Sequence, residues 1–188
     1  MITVFYWGPT PTSNFYGRAI GIYLTLNHAG VKHQTKGKAD LPPGASFAMP
    51  AVEVDGAIMG QAPFILSHLG EKYGLAGKTV DQKMRVLHAL GDMNDVFSEH
   101  GKMAIDEGRR AQWFSYLEQK LEGKKWIAGT EDPTVADFHG VFAFEWVVKK
   151  GVDFSAYPNV TGWWENIKAY PTVAEMYASL VDGRRMIP

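Results

Sequence analysis

The chain of 188 residues contains no cysteine. Disulfides, thiolate zinc sites and cysteine nucleophiles are therefore excluded. Its histidines have no metal-ligand spacing such as HExxH, and there is no phosphate loop and no triad signature, so no metal or nucleotide cofactor is expected. A formal net charge of −1 gives no broad pull on nucleic acid or an anionic membrane. Long apolar runs are missing too: Val141–Val148 is interrupted by Glu145 and cannot span a bilayer. The N-terminus MITVFYWGP lacks the basic region and apolar length of a signal peptide, so a cytoplasmic protein is expected. Internal repeats and low-complexity segments are also absent. With 46% hydrophobic and 21% charged residues, the chain reads as an ordinary globular protein of one large or two small domains.

The most informative stretch is FAMPAVEVDGAIMGQAPFILSHLG, residues 47–70. Ala51–Val54 alternates as a strand should. Asp55-Gly56 is a two-residue hairpin signal, because a type I′ turn needs φ > 0 at both centres. Ala57–Met59 is the returning strand. Pro63 suits a first helical position, which puts Ala62 at the N-cap and Ile65, Leu69 and Tyr73 on one helical face. A helix start without a side-chain cap presents free N–H groups and a positive dipole end, the requirements of an anion site.

Upstream, Ile2–Trp7 reads as a strand, and Thr12, Ser13 or Asn14 can cap the helix that Gly30 stops. Gly17 and Gly21 leave one helical stripe bare, read as close packing on the sheet. Val31–Thr35 is a second strand, giving β-α-β with a parallel pair. Lys36–Ser46 is a loop or short broken helix. Downstream of Thr79 the pattern is helical. Val80–His100 has two apolar faces, one with Val80, Met84, Leu87 and Gly91, the other with Val86, Leu90, Met93 and Phe97; such a helix belongs at a bundle centre or subunit interface. Trp113, Leu117 and Leu121 mark the next helix. Thr134-Val-Ala-Asp137 is a capping-box variant with Pro133 and Phe138 as a staple, and Thr172-Val-Ala-Glu175 is a second box. Tyr157-Pro158 opens a helix that Pro171 closes.

Met49-Pro50 before the hairpin, Asp55-Gly56 and Gln61 at the helix start together resemble the glutathione-binding half of the cytosolic glutathione transferases. Gly17-Arg18-Ala19, the "LAGKT" preceding the long helix, and the Thr134–Asp137 box resemble the same superfamily, closest to its tyrosine-type classes (sigma, mu, pi and alpha). The resemblance covers nearly the whole chain. It implies an α/β thioredoxin-like domain over 1–74 and an all-α domain over 80–188. It implies a cis Met49–Pro50 bond, with Met49 pairing with glutathione through its backbone and Gln61 meeting the γ-glutamyl end. The family's usual next residue is Ser; Ala62 removes one hydroxyl contact to a carboxylate. The missing cysteine removes the branches that work through a catalytic thiol.

The implied reaction is attack of the glutathione thiolate, with glutathione as substrate, on a small hydrophobic electrophile. A free thiol has a pKa near ~8.5, so a donor beside the sulfur is needed. Tyr6 at the strand end and Ser13 before the first helix compete for that role; otherwise Tyr6 is a core aromatic and Ser13 a plain N-cap. Asp95 is placed to reach a neighbouring subunit's glutathione amine, or is a solvated acid. Lys36 and Lys38 could meet the glycyl carboxylate. Trp7, Met93 and Phe97 are candidates for the acceptor pocket, with core as the alternative. Phe47 is a candidate hydrophobic key in a homodimer. The implied activity is conjugation. A glutathione-dependent isomerase or peroxidase, or a silent binding or assembly module, are the alternatives.

Overall fold

The computed structural model describes residues 1–8, 15–102, 106–180 and 186–187. Four strands form one sheet in the order β2-β1-β3-β4: β1 (Ile2–Phe5), β2 (His33–Lys36), β3 (Ala51–Val54) and β4 (Ala57–Gly60). β1 and β2 are parallel, joined through α1 (Ile20–His28); β1–β3 and β3–β4 are antiparallel. Asp55 (φ 52°) and Gly56 (φ 80°) both adopt the left-handed conformation that the two-residue hairpin requires. α2 (Ala62–Tyr73) packs on this sheet and on α1. The rest is helical: α3 (Val80–Phe97), α4 (Glu107–Leu121), α5 (Val135–Lys149), α6 (Pro158–Lys168) and α7 (Pro171–Ala178). The thioredoxin-like α/β half and the all-α half are those expected.

α5 is the axis of the helical half. It is buried from Val135 to Phe144 and packs on α3, α1, α2 and α6. Its start carries the expected capping box, and Asp137 does more than cap. Its carboxylate accepts from the Thr134 amide (2.8 Å) and hydroxyl (3.0 Å), the Ile127 amide (2.9 Å) and the Trp163 indole (2.9 Å). One fully buried acid thus ties together the α4–α5 connection, the start of α5, and α6.

Several local boundaries differ from expectation. β1 stops at Phe5, although the Tyr6 amide still donates to the Lys36 carbonyl (3.0 Å). β2 starts at His33, not Val31. α1 is entered through a short 3-10 turn, Gly17–Ala19, and its N-cap is Ala19, so no hydroxyl caps it; Thr12, Ser13 and Asn14 lie outside the described residues. Gly21 faces α5 rather than the sheet: a Cβ there would lie 3.1 Å from the His139 Cα. α2 has Gln61, not Ala62, as its N-cap, which moves Pro63 to the second helical position. α3 ends at Phe97 in a π turn, Ser98–Lys102. Only one of its apolar faces is buried; Val80, Met84 and Leu87 are exposed. Thr172 lies inside α7, whose N-cap is Tyr170, so the second box does not form; its hydroxyl lies 3.3 Å from His28 instead.

Candidate functional site

Strand register brings the candidate residues to one end of the sheet. Phe5 is opposite Ala51, and Ala51 is opposite Gly60. The next residue on β1 is Tyr6, the residues before Ala51 are Met49 and Pro50, and the residue after Gly60 is Gln61. Three segments far apart in sequence therefore meet in one row. The Met49–Pro50 bond is cis. Both residues are buried, and Ser46 folds over the row with its hydroxyl donating to the Ala48 carbonyl (2.8 Å).

At Gln61 the backbone has φ 68° and ψ 107°, an unusual conformation for a residue with a side chain, and the side chain is exposed. The Phe64 and Ile65 amides both donate to its carbonyl (3.0 and 3.1 Å), and Pro63 has no N–H. The first turn of α2 thus keeps the Ala62 amide as its remaining donor. A serine hydroxyl at 62 would have added a second.

The Tyr6 hydroxyl is the most constrained polar group here. It accepts from the Arg18 amide at 2.9 Å, and a Cβ on Gly17 would fall 2.5 Å from it. Gly17, at φ +52°, is therefore required twice over, by its backbone and by the hydroxyl. The Gly17 amide donates to the Met186 carbonyl (2.7 Å), so the end of the described chain braces this turn. Burial raises the Tyr6 pKa against the opposing pull of the Arg18 amide and charge. The phenol stays protonated at neutral pH, with its acceptor side used by Arg18 and its own proton left to donate.

Around it lie aromatic rings. Trp7 is half exposed with its ring 5.3 Å from Tyr6, and Phe15 lies 6.2 Å away. The exposed Lys38 ammonium is 6.0 Å from the Trp7 ring, so Lys38 borders the same end. Phe97, from the helical half, is buried against Phe142 with ring centroids 4.4 Å apart, and the Arg18 guanidinium lies 4.4 Å from its ring. Met93 is fully buried between α3 and α5 and lies in the core beside Gly140 and Trp163, not in the wall of an open cleft. Asp95 is exposed on α3, within electrostatic reach of Arg109 and away from the Tyr6 row's own contacts. Ser13 lies outside the described residues.

Arg18 and His139 are what sequence reasoning missed. The Gly17-Arg18-Ala19 motif was visible, but nothing in it indicates that the Arg18 amide holds the Tyr6 hydroxyl. His139 is buried in α5, with neither ring nitrogen partnered among the described residues. Burial, helped by the Arg18 charge, lowers its pKa to about 3. Among the described residues no cluster of three or more His, Asp or Glu could hold a metal, and no helix is long and apolar enough to cross a membrane.

Residues 82–171 match the family model for the glutathione S-transferase C-terminal domain. The chain is 28% identical over 181 residues to the hematopoietic prostaglandin D synthase of Gallus gallus, covering 86% of this chain and 90% of that protein. It is 33% identical over 89 residues to glutathione S-transferase 1 of Ascaris suum, covering 44% of this chain and 43% of that one. The fold superposes on a glutathione transferase from Methylococcus capsulatus with a TM-score of 0.75 at 18% identity, over 96% of this chain and 98% of that one. With the sheet order, the cis proline and the α5 capping box alongside these matches, the chain is similar to the glutathione S-transferases over most of its length, and residues 82–171 match their C-terminal domain.

Proposed function

We propose that the protein is a glutathione transferase that joins the glutathione thiolate to small hydrophobic electrophiles, using Tyr6 as thiol activator. The observation that carries this reading is the Tyr6 hydroxyl held by the Arg18 amide at the end of the sheet where Met49–Pro50 and Gln61 converge. Met49 offers backbone pairing to the cysteinyl part of the peptide, Gln61 and the Ala62 amide receive its γ-glutamyl end, and Lys38 reaches the glycyl carboxylate. A phenol whose pKa is raised acts as a donor and not as a base. Its hydrogen bond favours the thiolate over the thiol, which lowers the thiol's pKa. Trp7 and Phe97 form the acceptor side, and residues 1–74 and 80–188 are the two working units. Ser13 remains the rival activator.

The free apolar surface fits a homodimer. Val80, Met84 and Leu87 on α3, with Phe64 on α2, are exposed, and Phe47 is fully so. Between α3 and α4 lies a cavity of about 380 Å³ bordered by His88, Asp92, Trp113 and Tyr116. We place the Phe47 of one protomer in that cavity of its partner, which would bring Asp95 toward the partner's glutathione. Detoxification in the cytoplasm is the matching physiological role.

The likeness to a prostaglandin D synthase over most of the chain favours a second reading, a glutathione-dependent isomerase on the same activated thiol. The loss of the serine hydroxyl at position 62 favours a third, a silent binding module. The test is a pH titration of thiolate ultraviolet absorbance with glutathione saturating. Tyr6→Phe keeps the ring and deletes the donor. The bound thiol's pKa should rise by about a unit, and turnover near neutrality should fall on the order of tenfold. If Ser13→Ala moves the pKa and Tyr6→Phe does not, Tyr6 is not the activator. A wild-type pKa equal to that of free glutathione supports the silent module.

A further inference from the structure

Three successive amides fix the turn that enters α1, and each has a different acceptor. The Gly17 amide donates to the Met186 carbonyl (2.7 Å), the Arg18 amide to the Tyr6 hydroxyl (2.9 Å) and the Ala19 amide to the Tyr16 carbonyl (3.2 Å). Only the last acceptor belongs to the turn itself. Gly17 is buried, so without Met186 its N–H would be a donor with no acceptor, which folded chains avoid. Lacking a Cβ, Gly17 is also the residue of the turn that rotates most freely. Its φ of +52° and its ψ set the plane of the next peptide, and that plane aims the Arg18 amide at Tyr6. The bond that pins this pivot therefore comes from the far end of the sequence. Its source is well seated: Met186 and Ile187 are buried, at 3% and 6% exposure. α7 supports the same corner by lying along α1. At one end Thr172 is 3.3 Å from His28. At the other, the Ser179 hydroxyl donates to the Met176 carbonyl (2.7 Å), which leaves it to accept from the Tyr16 hydroxyl at 3.4 Å. Tyr16 immediately precedes the pivot.

We infer that Met186 is a positioning residue for thiol activation: with α7 it forms a strap behind the Gly17–Ala19 turn, and the seating of that strap sets how firmly the Tyr6 hydroxyl is aimed. The inference rests on the transferase reading above and adds a support for its activator that lies outside the α/β half. Met186 acts through its backbone carbonyl, and its side chain only keeps that carbonyl in place. When the strap loosens, Gly17 is free to turn and the Arg18 amide swings away from Tyr6. The phenol then loses the partner that fixes its acceptor side, and its O–H is shared among more directions. The hydrogen bond to the glutathione sulfur weakens, and the thiol's pKa rises. The groups proposed to hold glutathione, at Met49, Gln61 and Ala62, sit at the sheet edge and the start of α2. They do not depend on the turn, so binding is preserved while activation is lost.

The test exchanges the two buried apolar side chains of the seat for hydroxyls, Met186→Ser with Ile187→Ser, in the full chain. The pKa of bound glutathione, read from thiolate ultraviolet absorbance, should rise by about half a unit, with kcat near neutrality falling about threefold. KM for glutathione should stay within about twofold of wild type. A merely structural role would lower kcat through loss of folded protein and leave the pKa where it was. Met186→Leu keeps an apolar side chain in the seat and should keep the wild-type pKa. In a Tyr6→Phe background the serine pair should move the pKa no further, because the strap works through that hydroxyl. Amide hydrogen exchange on the wild-type protein needs no variant to fold: the Gly17 and Arg18 amides should both be protected. A Gly17 amide that exchanges like open chain overturns the inference. So does a serine pair that leaves the pKa unchanged where Tyr6→Phe raises it, or one whose full shift persists in the Tyr6→Phe background; either result leaves the transferase reading standing. If Tyr6→Phe itself moves nothing, the activator reading has failed and the strap's role falls with it.

Discussion

Replacing His139 by leucine should remove an acid-sensitivity that the fold builds into α5. The ring is buried, lies against Phe142 with centroids 6.1 Å apart, and has no hydrogen-bond partner at either nitrogen among the described residues. Its pKa falls from 6.5 to about 3. A lowered pKa means that the unfolded chain binds the proton first. Above pH ~6.5 both states are neutral and the residue adds no pH dependence. As pH falls below that value, stability drops by about 1.4 kcal/mol per unit until the folded form also protonates near pH ~3. Between pH 7 and pH 4 the loss from this one group is about 3 kcal/mol. Leucine fills a similar volume with nothing to protonate. At pH 7 the variant should lie within about 1 kcal/mol of wild type, the loss of ring packing offsetting the removal of an unmatched N–H. The assay is urea unfolding of both proteins at unit steps of pH. The buried Asp137 and His100 titrate in both and cancel in the difference. The stability gap should shift by about 3 kcal/mol in the variant's favour toward pH 4. Parallel curves would show that His139 is not held neutral, and that the buried assignment is wrong.

Asp137→Ala should leave four donors without an acceptor and cost at least about 4 kcal/mol in denaturant melts. Thr134→Ala should cost about 1 kcal/mol, and the double mutant less than the sum, because both act in one network; additive losses would sink the shared box. Ala62→Ser should tighten glutathione by roughly 0.5–1.5 kcal/mol in calorimetry, the value of one hydrogen bond; no heat from either form would argue against a glutathione site. Phe47→Asp, with Leu87→Glu as a second probe on α3, should shift sedimentation from dimer to monomer without lowering helix content. An unchanged sedimentation coefficient in both variants would exclude these surfaces as the interface.

What could be read from sequence and what could not divide along a physical line. The hairpin at Asp55-Gly56 and the box at Thr134–Asp137 follow from local rules: positive φ at two turn residues, and a hydroxyl and carboxylate spaced to reach a helix's first amides. Local rules also failed where they offered two answers. Thr172 could cap but does not, because Pro171 starts α7 one turn-position earlier and Tyr170 takes the cap. Ala62 was one residue off for the same reason, since proline is tolerated at the second helical position as well as the first. The candidate site is different in kind. Tyr6, Pro50 and Gln61 are neighbours only because Phe5, Ala51 and Gly60 share a row of the sheet, and a one-residue slip of either strand pair would turn the set apart. Family resemblance could place these three because it carries the register implicitly. It could not place Asp137 against Ile127 and Trp163, or Gly21 against the His139 backbone, since those contacts depend on how helices pack across the seam. Arg18 stands on both sides of the line. Its amide serves Tyr6 within one half, while its guanidinium is positioned by Phe97 from the other. The proposed activator Tyr6 is held by the turn Gly17–Ala19, braced by the Met186 carbonyl, whereas the proposed acceptor side at Phe97 depends on the docking of the helical half. A mutation that loosens the docking of α3 and α5 against α1 should therefore disturb choice of electrophile before it disturbs activation of the thiol.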